Sequence, residues 1–254
     1  MNTMASALPF DADLVLVVLL ACGLAVVHLI ADEIQLFEVI PRRYVLSAAG
    51  GVSTVYVFVY LLPSLDEQAI TLEGVDLVVT SIHEHHIYSF AFVGFALFYG
   101  LERLAQVSKR YGPVHDGSVL ASEPVFAVRI SSFCIYNAFI GYVLVVEESG
   151  SGGAAFALAM GLHLLGNDEA MRKHHRNAYH RIGRWVLAAA VLFGAGAGFV
   201  VEVGSVALVA LLALLTGGIV FNAIKEELPG DRDGSFWAFV GGAGGYALLL
   251  AILL

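Results

Sequence analysis

Long apolar runs, nearly free of charge, alternate with short polar stretches along the whole chain. They fall at about 14–31, 45–62, 88–101, 130–146, 154–165, 186–201, 206–224 and 236–254. A bilayer core of about 30 Å needs about 20 apolar residues in a helix, and only the third and fifth runs are too short. Both become long enough if the flanking polar residues continue the helix, which sets those spans at 84–101 and 154–171. The pattern predicts an all-α polytopic membrane protein: eight transmembrane helices in a single domain, 1–254, with no separate soluble domain.

Composition agrees. Of 254 residues, 59% are hydrophobic and 14% charged, and the mean hydropathy is +0.82, which soluble domains do not reach. No Lys or Arg precedes the first apolar run, so the basic start of a cleaved signal peptide is missing and the first span is expected to stay. Cys22 and Cys134 lie inside apolar spans, where a small buried hydrophobe is the plainer reading than a disulfide or a metal ligand.

The distribution of charge orients the spans. Arg42 and Arg43 follow span one; Arg103, Lys109, Arg110 and Arg129 flank the segment after span three; Arg172, Lys173, Arg176, Arg181 and Arg184 follow span five; Lys225 and Arg232 follow span seven. With eight spans, all 13 basic residues fall on one side. The positive-inside rule makes that side cytoplasmic and puts both termini outside, in a cell-membrane protein. One miscounted span would have mixed the signs. The other side carries only carboxylates, among them Asp66, Glu67, Glu73, Asp76, Glu147, Glu148 and Glu202. Such a mouth concentrates cations, although a halophilic source would give the same acidity for solvation alone. The longest inner segment, 102–129, contains Gly112-Pro113, Gly117 and Glu123-Pro124 and reads as a cytoplasmic loop.

Polar residues inside spans are costly and mark function by default. The fifth span runs into His163, Asn167, Asp168 and Glu169, and residues four apart share a helix face. Tyr136 and Asn137 form a second pair in span four that could face the first. This is a candidate cation site; the alternative is that these groups only hydrogen-bond neighbouring helices. His83, Glu84, His85 and His86 are a candidate outer capture site, or a solvated rim. His174, His175 and His180 are a candidate inner exit, or part of a basic headgroup-facing loop. His28 in span one reads as a helix–helix hydrogen-bond donor, and Asn222 as a path-lining or capping amide.

One phrase recurs. Span two has Gly50-Gly51, nine residues, then Leu61-Leu62-Pro63; span seven has Gly217-Gly218, nine residues, then Leu228-Pro229. The two spans run oppositely in this topology, which suggests an inverted repeat of spans 1–3 and 6–8 around spans 4–5. With the span count, the long inner loop, the phrase Ala49-Gly50-Gly51 and Leu61-Leu62-Pro63, the exit Gly100-Leu101-Glu102-Arg103-Leu104 and the Gly-rich span seven, the chain resembles the ZIP (Zrt/Irt-like) family of divalent metal transporters from Leu14 onward. The family's span-four pattern of His-Asn, two residues, Asp-Gly stands here as Tyr136-Asn137-Ala138-Phe139-Ile140-Gly141. Its span-five pattern of His-Glu followed by Pro-His-Glu stands as His163-Leu164-Leu165-Gly166-Asn167-Asp168.

The resemblance implies a metal site of Asn137, His163 and Asp168, with Tyr136 and Asn167 in place of stronger ligands. It implies a secondary carrier of zinc, iron or manganese-class cations, not an enzyme, with the metal as cargo and no cofactor. Expected partners are the divalent ion and the lipid bilayer, with no nucleic acid, and a homodimer is open to it. No nucleotide-binding motif is present. The alternatives are a ligand-depleted homologue serving as scaffold, sensor or carrier of another solute, and, ranked last, a His-rich membrane metalloenzyme. The latter is disfavoured because the His clusters fall on opposite sides of the bilayer.

Overall fold

Proline and glycine decide where these apolar helices bend and where they touch. The computed structural model describes residues 12–31, 40–72, 86–111, 123–146, 150–227 and 234–253, and among them the regular structure is helical throughout. Helix α1 is Ala12–Ile30. α2, Arg42–Val55, starts after Pro41 and passes through a π-helical turn, Tyr56–Leu61, into α3, Leu62–Leu72. α4 is His86–Tyr111 and α5 is Glu123–Val146. α6, Gly150–Ala178, is kinked at His175 (φ −141°, ψ 43°) and is followed by a second π turn, Tyr179–Gly183, and α7, Arg184–Gly198. α8, Ser205–Asn222, ends in a third π turn, Ala223–Glu227, and α9 is Phe236–Leu253.

A proline inside a helix lacks the N–H for its own turn and its ring crowds the carbonyl four residues back. Pro63 follows the first π turn, whose wider winding absorbs that misfit while the helix continues. The third π turn precedes Leu228-Pro229 in sequence. The two stretches sharing the Gly-Gly phrase thus share a distortion at the same offset: Tyr56 lies five residues after Gly51, Ala223 five after Gly218.

Six helical stretches are long and apolar enough to cross a membrane: Ala12–Ile30, Arg43–Gln68, Ile87–Leu104, Phe126–Val146, Ser205–Lys225 and Phe236–Leu253. α6 carries too many polar residues, and α7 is too short, to qualify by length and composition. Two segments differ from the sequence reading. The stretch 102–129 is largely helical, since α4 runs on to Tyr111 and α5 begins at Glu123, leaving only 112–122 outside the described residues. The basic stretch after span five is helical too, the kink at His175 marking the corner.

Lipid offers apolar side chains no reason to prefer each other, so close packing depends on small residues. Three helix pairs meet this way. In α2 and α9, Gly51 abuts the Phe239 carbonyl and Gly242 that of Ala48. In α4 and α8, Gly94 abuts the Leu214 carbonyl and Gly217 that of Ala91. In α5 and α7, Gly141 abuts the Val191 carbonyl and Gly194 that of Ala138. α1 lies against α6 by ordinary contacts, Gly161 meeting Leu24 and Val27 side-chain carbons at 3.7 and 3.8 Å.

Each pair runs in the same direction. Ser47 meets Ser235 and Tyr56 meets Tyr246; Gly94 meets Leu214 and Tyr99 meets Phe221; Ala138 meets Gly194 and Val145 meets Gly198; Leu24 meets Gly161 and His28 meets Asp168. Within each of these couples the later residue of one helix touches the later residue of its partner, while the glycine contacts interleave within a single turn at the crossing point.

Candidate functional site

The deepest polar groups sit where α1, α5 and α6 converge. His28, Asn137, His163, Asn167 and Asp168 are each no more than 2% exposed. On α6 the residues four apart, His163 and Asn167, share a face, while Asp168 is turned away by a further 100° or so. The structure divides the residues accordingly into two bonded groups.

In the first, α6 meets α5. The Tyr136 hydroxyl lies 2.8 Å from His163 Nε2, and Asn167 Nδ2 lies 3.1 Å from the same nitrogen. Among the described residues the buried Asn167 Oδ1 has no hydrogen-bond partner. In the second, α1 joins both. His28 Nδ1 lies 2.9 and 2.8 Å from the two Asp168 carboxylate oxygens, and His28 Nε2 lies 2.8 Å from Asn137 Oδ1. Asn137 Nδ2 donates to the Phe133 carbonyl at 2.8 Å, one helical turn back. That bond fixes the amide, so its oxygen is what His28 meets, and Nε2 must donate. Nδ1, on the other side of the ring, faces both carboxylate oxygens of Asp168. The Tyr179 hydroxyl donates to the His28 backbone carbonyl at 3.3 Å, fastening the α6–α7 corner to the same turn of α1.

The expected pairing of Asp168 with His163 around one point is thereby refined: Asp168 and Asn137 share His28, while His163 belongs with Tyr136 and Asn167. His28 is the member that sequence reasoning placed outside the site. Its signal was present, as the one basic or acidic side chain between Asp13 and Asp32. Glu169, at the end of the same polar run, accepts from Arg172 Nε and Nη2 at 3.1 and 2.7 Å instead of facing the centre. Among the described residues no three His, Cys, Asp or Glu side chains come together as a metal cluster.

His83, Glu84 and His85 lie outside the described residues, and His86 opens α4. His174 is on α6; His175, at the kink, is buried with its ring 5.2 Å from that of Phe126; His180 is exposed. A third polar cluster was not foreseen. Glu102 Oε2 takes both Arg129 Nη2 at 2.9 Å and Lys225 Nζ at 2.8 Å, tying together α4, α5 and the end of α8. Glu102, Arg129, Ser132 and Asn222 line a small cavity there, and among the described residues the buried Asn222 Nδ2 has no hydrogen-bond partner.

An aromatic layer separates this cavity from the polar centre. Phe98, Phe133 and Tyr136 are in mutual edge-on contact, with ring centroids 5.2–6.3 Å apart.

Fold and site together define a class: an all-helical chain of membrane-spanning composition with a buried imidazole–carboxylate–amide centre built by three helices. Comparison with known protein families, with characterised proteins and with solved structures finds no match, so the class is as far as likeness to other proteins carries.

Proposed function

We propose that the chain is a ZIP-like secondary carrier of divalent metal cations, of the zinc, iron or manganese class, across the cell membrane. The observation that carries the reading is the full burial, where α1, α5 and α6 meet, of two polar groups: Asp168 and Asn137 joined through His28, and His163 with Tyr136 and Asn167. A carboxylate, an imidazole and amide oxygens in lipid are expensive to maintain for packing alone. Zinc prefers imidazole, thiolate and carboxylate, whereas harder ions accept amide oxygen, and a weak site can still conduct because transport requires release.

In this reading the chain crosses the bilayer eight times, with basic segments cytoplasmic and termini outside. The parallel course of α5 and α7 supports it. Two neighbours can run the same way only if the chain between them returns, and the 29 residues of α6 measure about 43 Å, more than a bilayer core. The 20 residues from Tyr179 to Gly198 measure about 30 Å. The shared Gly-Gly phrase and π turn in the second and seventh spans support an inverted repeat.

The test is uptake of Zn²⁺, Mn²⁺, Fe²⁺ and Cd²⁺ by proteoliposomes holding the natural chain, His163→Ala or Asp168→Ala. Uptake by the natural chain that both variants lose is the expected result. No uptake of any of the four above protein-free vesicles sinks the reading. A second reading then takes over, a ligand-depleted homologue without metal transport. It is favoured by the absence of a three-ligand cluster among the described residues and by an Asp168 whose hydrogen bonds are met within the protein.

A further inference from the structure

We infer that the corner between α6 and α7 is a binding site for the headgroups of acidic phospholipids. It rests on the membrane threading proposed above and not on the metal. Three observations carry it.

First, the corner is basic throughout. Between Glu169 and Glu202 the chain has five Arg or Lys and three His, and no acid. Arg172 is answered by Glu169 at 2.7 Å. Arg181 is exposed on the π turn, and among the described residues no carboxylate meets it. Second, the inward side of the corner is fixed. Met171, His175, Tyr179, Gly183 and Leu187, four residues apart, make one buried stripe, and the Tyr179 hydroxyl fastens it to α1. His180, Arg181, Ile182 and Trp185 are thereby left facing outwards, all of them exposed. Third, this basic face ends a longer apolar one. Ile182 is 51% and Trp185 55% exposed, and the same side of α7 continues through Val186, Leu192 and Phe193.

In the threading above, that apolar side of α7 lies against acyl chains. Trp185 then falls at the headgroup level where tryptophan concentrates, with the Arg184 guanidinium 5.4 Å over its ring. Arginine stems lie along apolar surface while their charged ends reach the phosphates, which they meet through paired N–H bonds. A zwitterionic headgroup brings its own ammonium, whereas an acidic one leaves negative charge for the corner to meet. An acidic soluble protein would answer the charges but not the exposed Ile182 and Trp185, which run on into the apolar stripe.

The test reads the corner locally. Trp185 and Trp237 are the two tryptophans, so Trp237→Phe leaves Trp185 as the sole reporter. In that background the full chain is placed in phosphatidylcholine vesicles with a minor share of phosphatidylglycerol, one lipid or the other brominated near its headgroup. Quenching of Trp185 fluorescence by brominated phosphatidylglycerol beyond that lipid's share is expected. Arg181→Gln should cut this preference about fivefold and Arg181→Gln/Arg184→Gln should nearly abolish it. Arg103→Gln, at an exposed cation of α4, should leave it unchanged. Circular dichroism checks the fold of each sample.

Quenching by the two lipids in proportion to their shares would overturn the inference and leave the corner to another partner, such as an acidic protein. Equal losses at Arg103 and Arg181 would also overturn it, reducing the preference to the general pull of a basic side. A preference lost in phosphate buffer but kept in chloride of the same ionic strength would assign the corner to free phosphate, with the same result. Quenching by neither lipid would overturn the threading as well, while metal uptake into vesicles of phosphatidylcholine alone tests the carrier reading separately.

Discussion

Removing one partner of a buried pair strands the other, so Asp168→Leu, which leaves the His28 ring without its carboxylate, is expected to destabilise the fold by about 3–5 kcal/mol. The double variant His28→Leu/Asp168→Leu should recover most of that loss, as paired replacement by apolar groups commonly does. Reversible unfolding in mixed micelles measures both, and equal losses in the single and double variants would contradict the pairing. Tyr136→Phe removes only a hydroxyl bonded to His163, and hydrogen bonds between membrane helices average about 0.6 kcal/mol. It should therefore stay near the natural stability in the same assay. At this scale the sequence showed the polar groups but not their partners. His163 and Asn167 meet as the four-residue spacing requires, whereas Asp168, one residue on, turns to a helix 140 residues away, which no spacing rule gives. His28 was legible as a donor between helices. What it donates to is set by tertiary packing.

At the scale of elements, glycines in similarly apolar stretches of the sequence differ sharply in what they touch. A methyl group added at Gly194 or Gly217 would meet the backbone of Ala138 or Ala91, which cannot step aside, while at Gly196 or Gly244 nothing lies within 4 Å. Gly194→Ala and Gly217→Ala should each lose about 1–3 kcal/mol. Gly196→Ala and Gly244→Ala should stay within about 0.5 kcal/mol of the natural chain. Thermal unfolding of the purified proteins separates the two classes, and similar losses in all four would refute the crossings. The apolar runs located α1, α2, α4, α5, α8 and α9 well, because hydropathy reads composition directly. The ends of α4 and α5 and the helical corner between α6 and α7 were not legible, since Lys, Arg and Gln are good helix formers that hydropathy counts as loop.

For the whole molecule, the threading has a direct check. With native Cys22 and Cys134 replaced by Ser, single cysteines at the exposed Asn177 and Glu202 are labelled in intact cells with a membrane-impermeant maleimide. Eight crossings put them on opposite sides, so Glu202→Cys should label and Asn177→Cys should label only after lysis. Labelling of both, or of neither, would mean that α7 does not traverse.

The unequal seams between helices have a mechanical consequence. Where glycines interlock with carbonyls, the two backbones are keyed together, and α2 with α9, α4 with α8, and α5 with α7 each behave as one stiff beam. Among the described glycines α1 and α6 show no such key; side-chain carbons at van der Waals distance and the single His28–Asp168 pair hold them, and carbon surfaces slide over one another at little cost. Any rocking of this molecule would open along that unkeyed joint, where its buried histidine and aspartate meet.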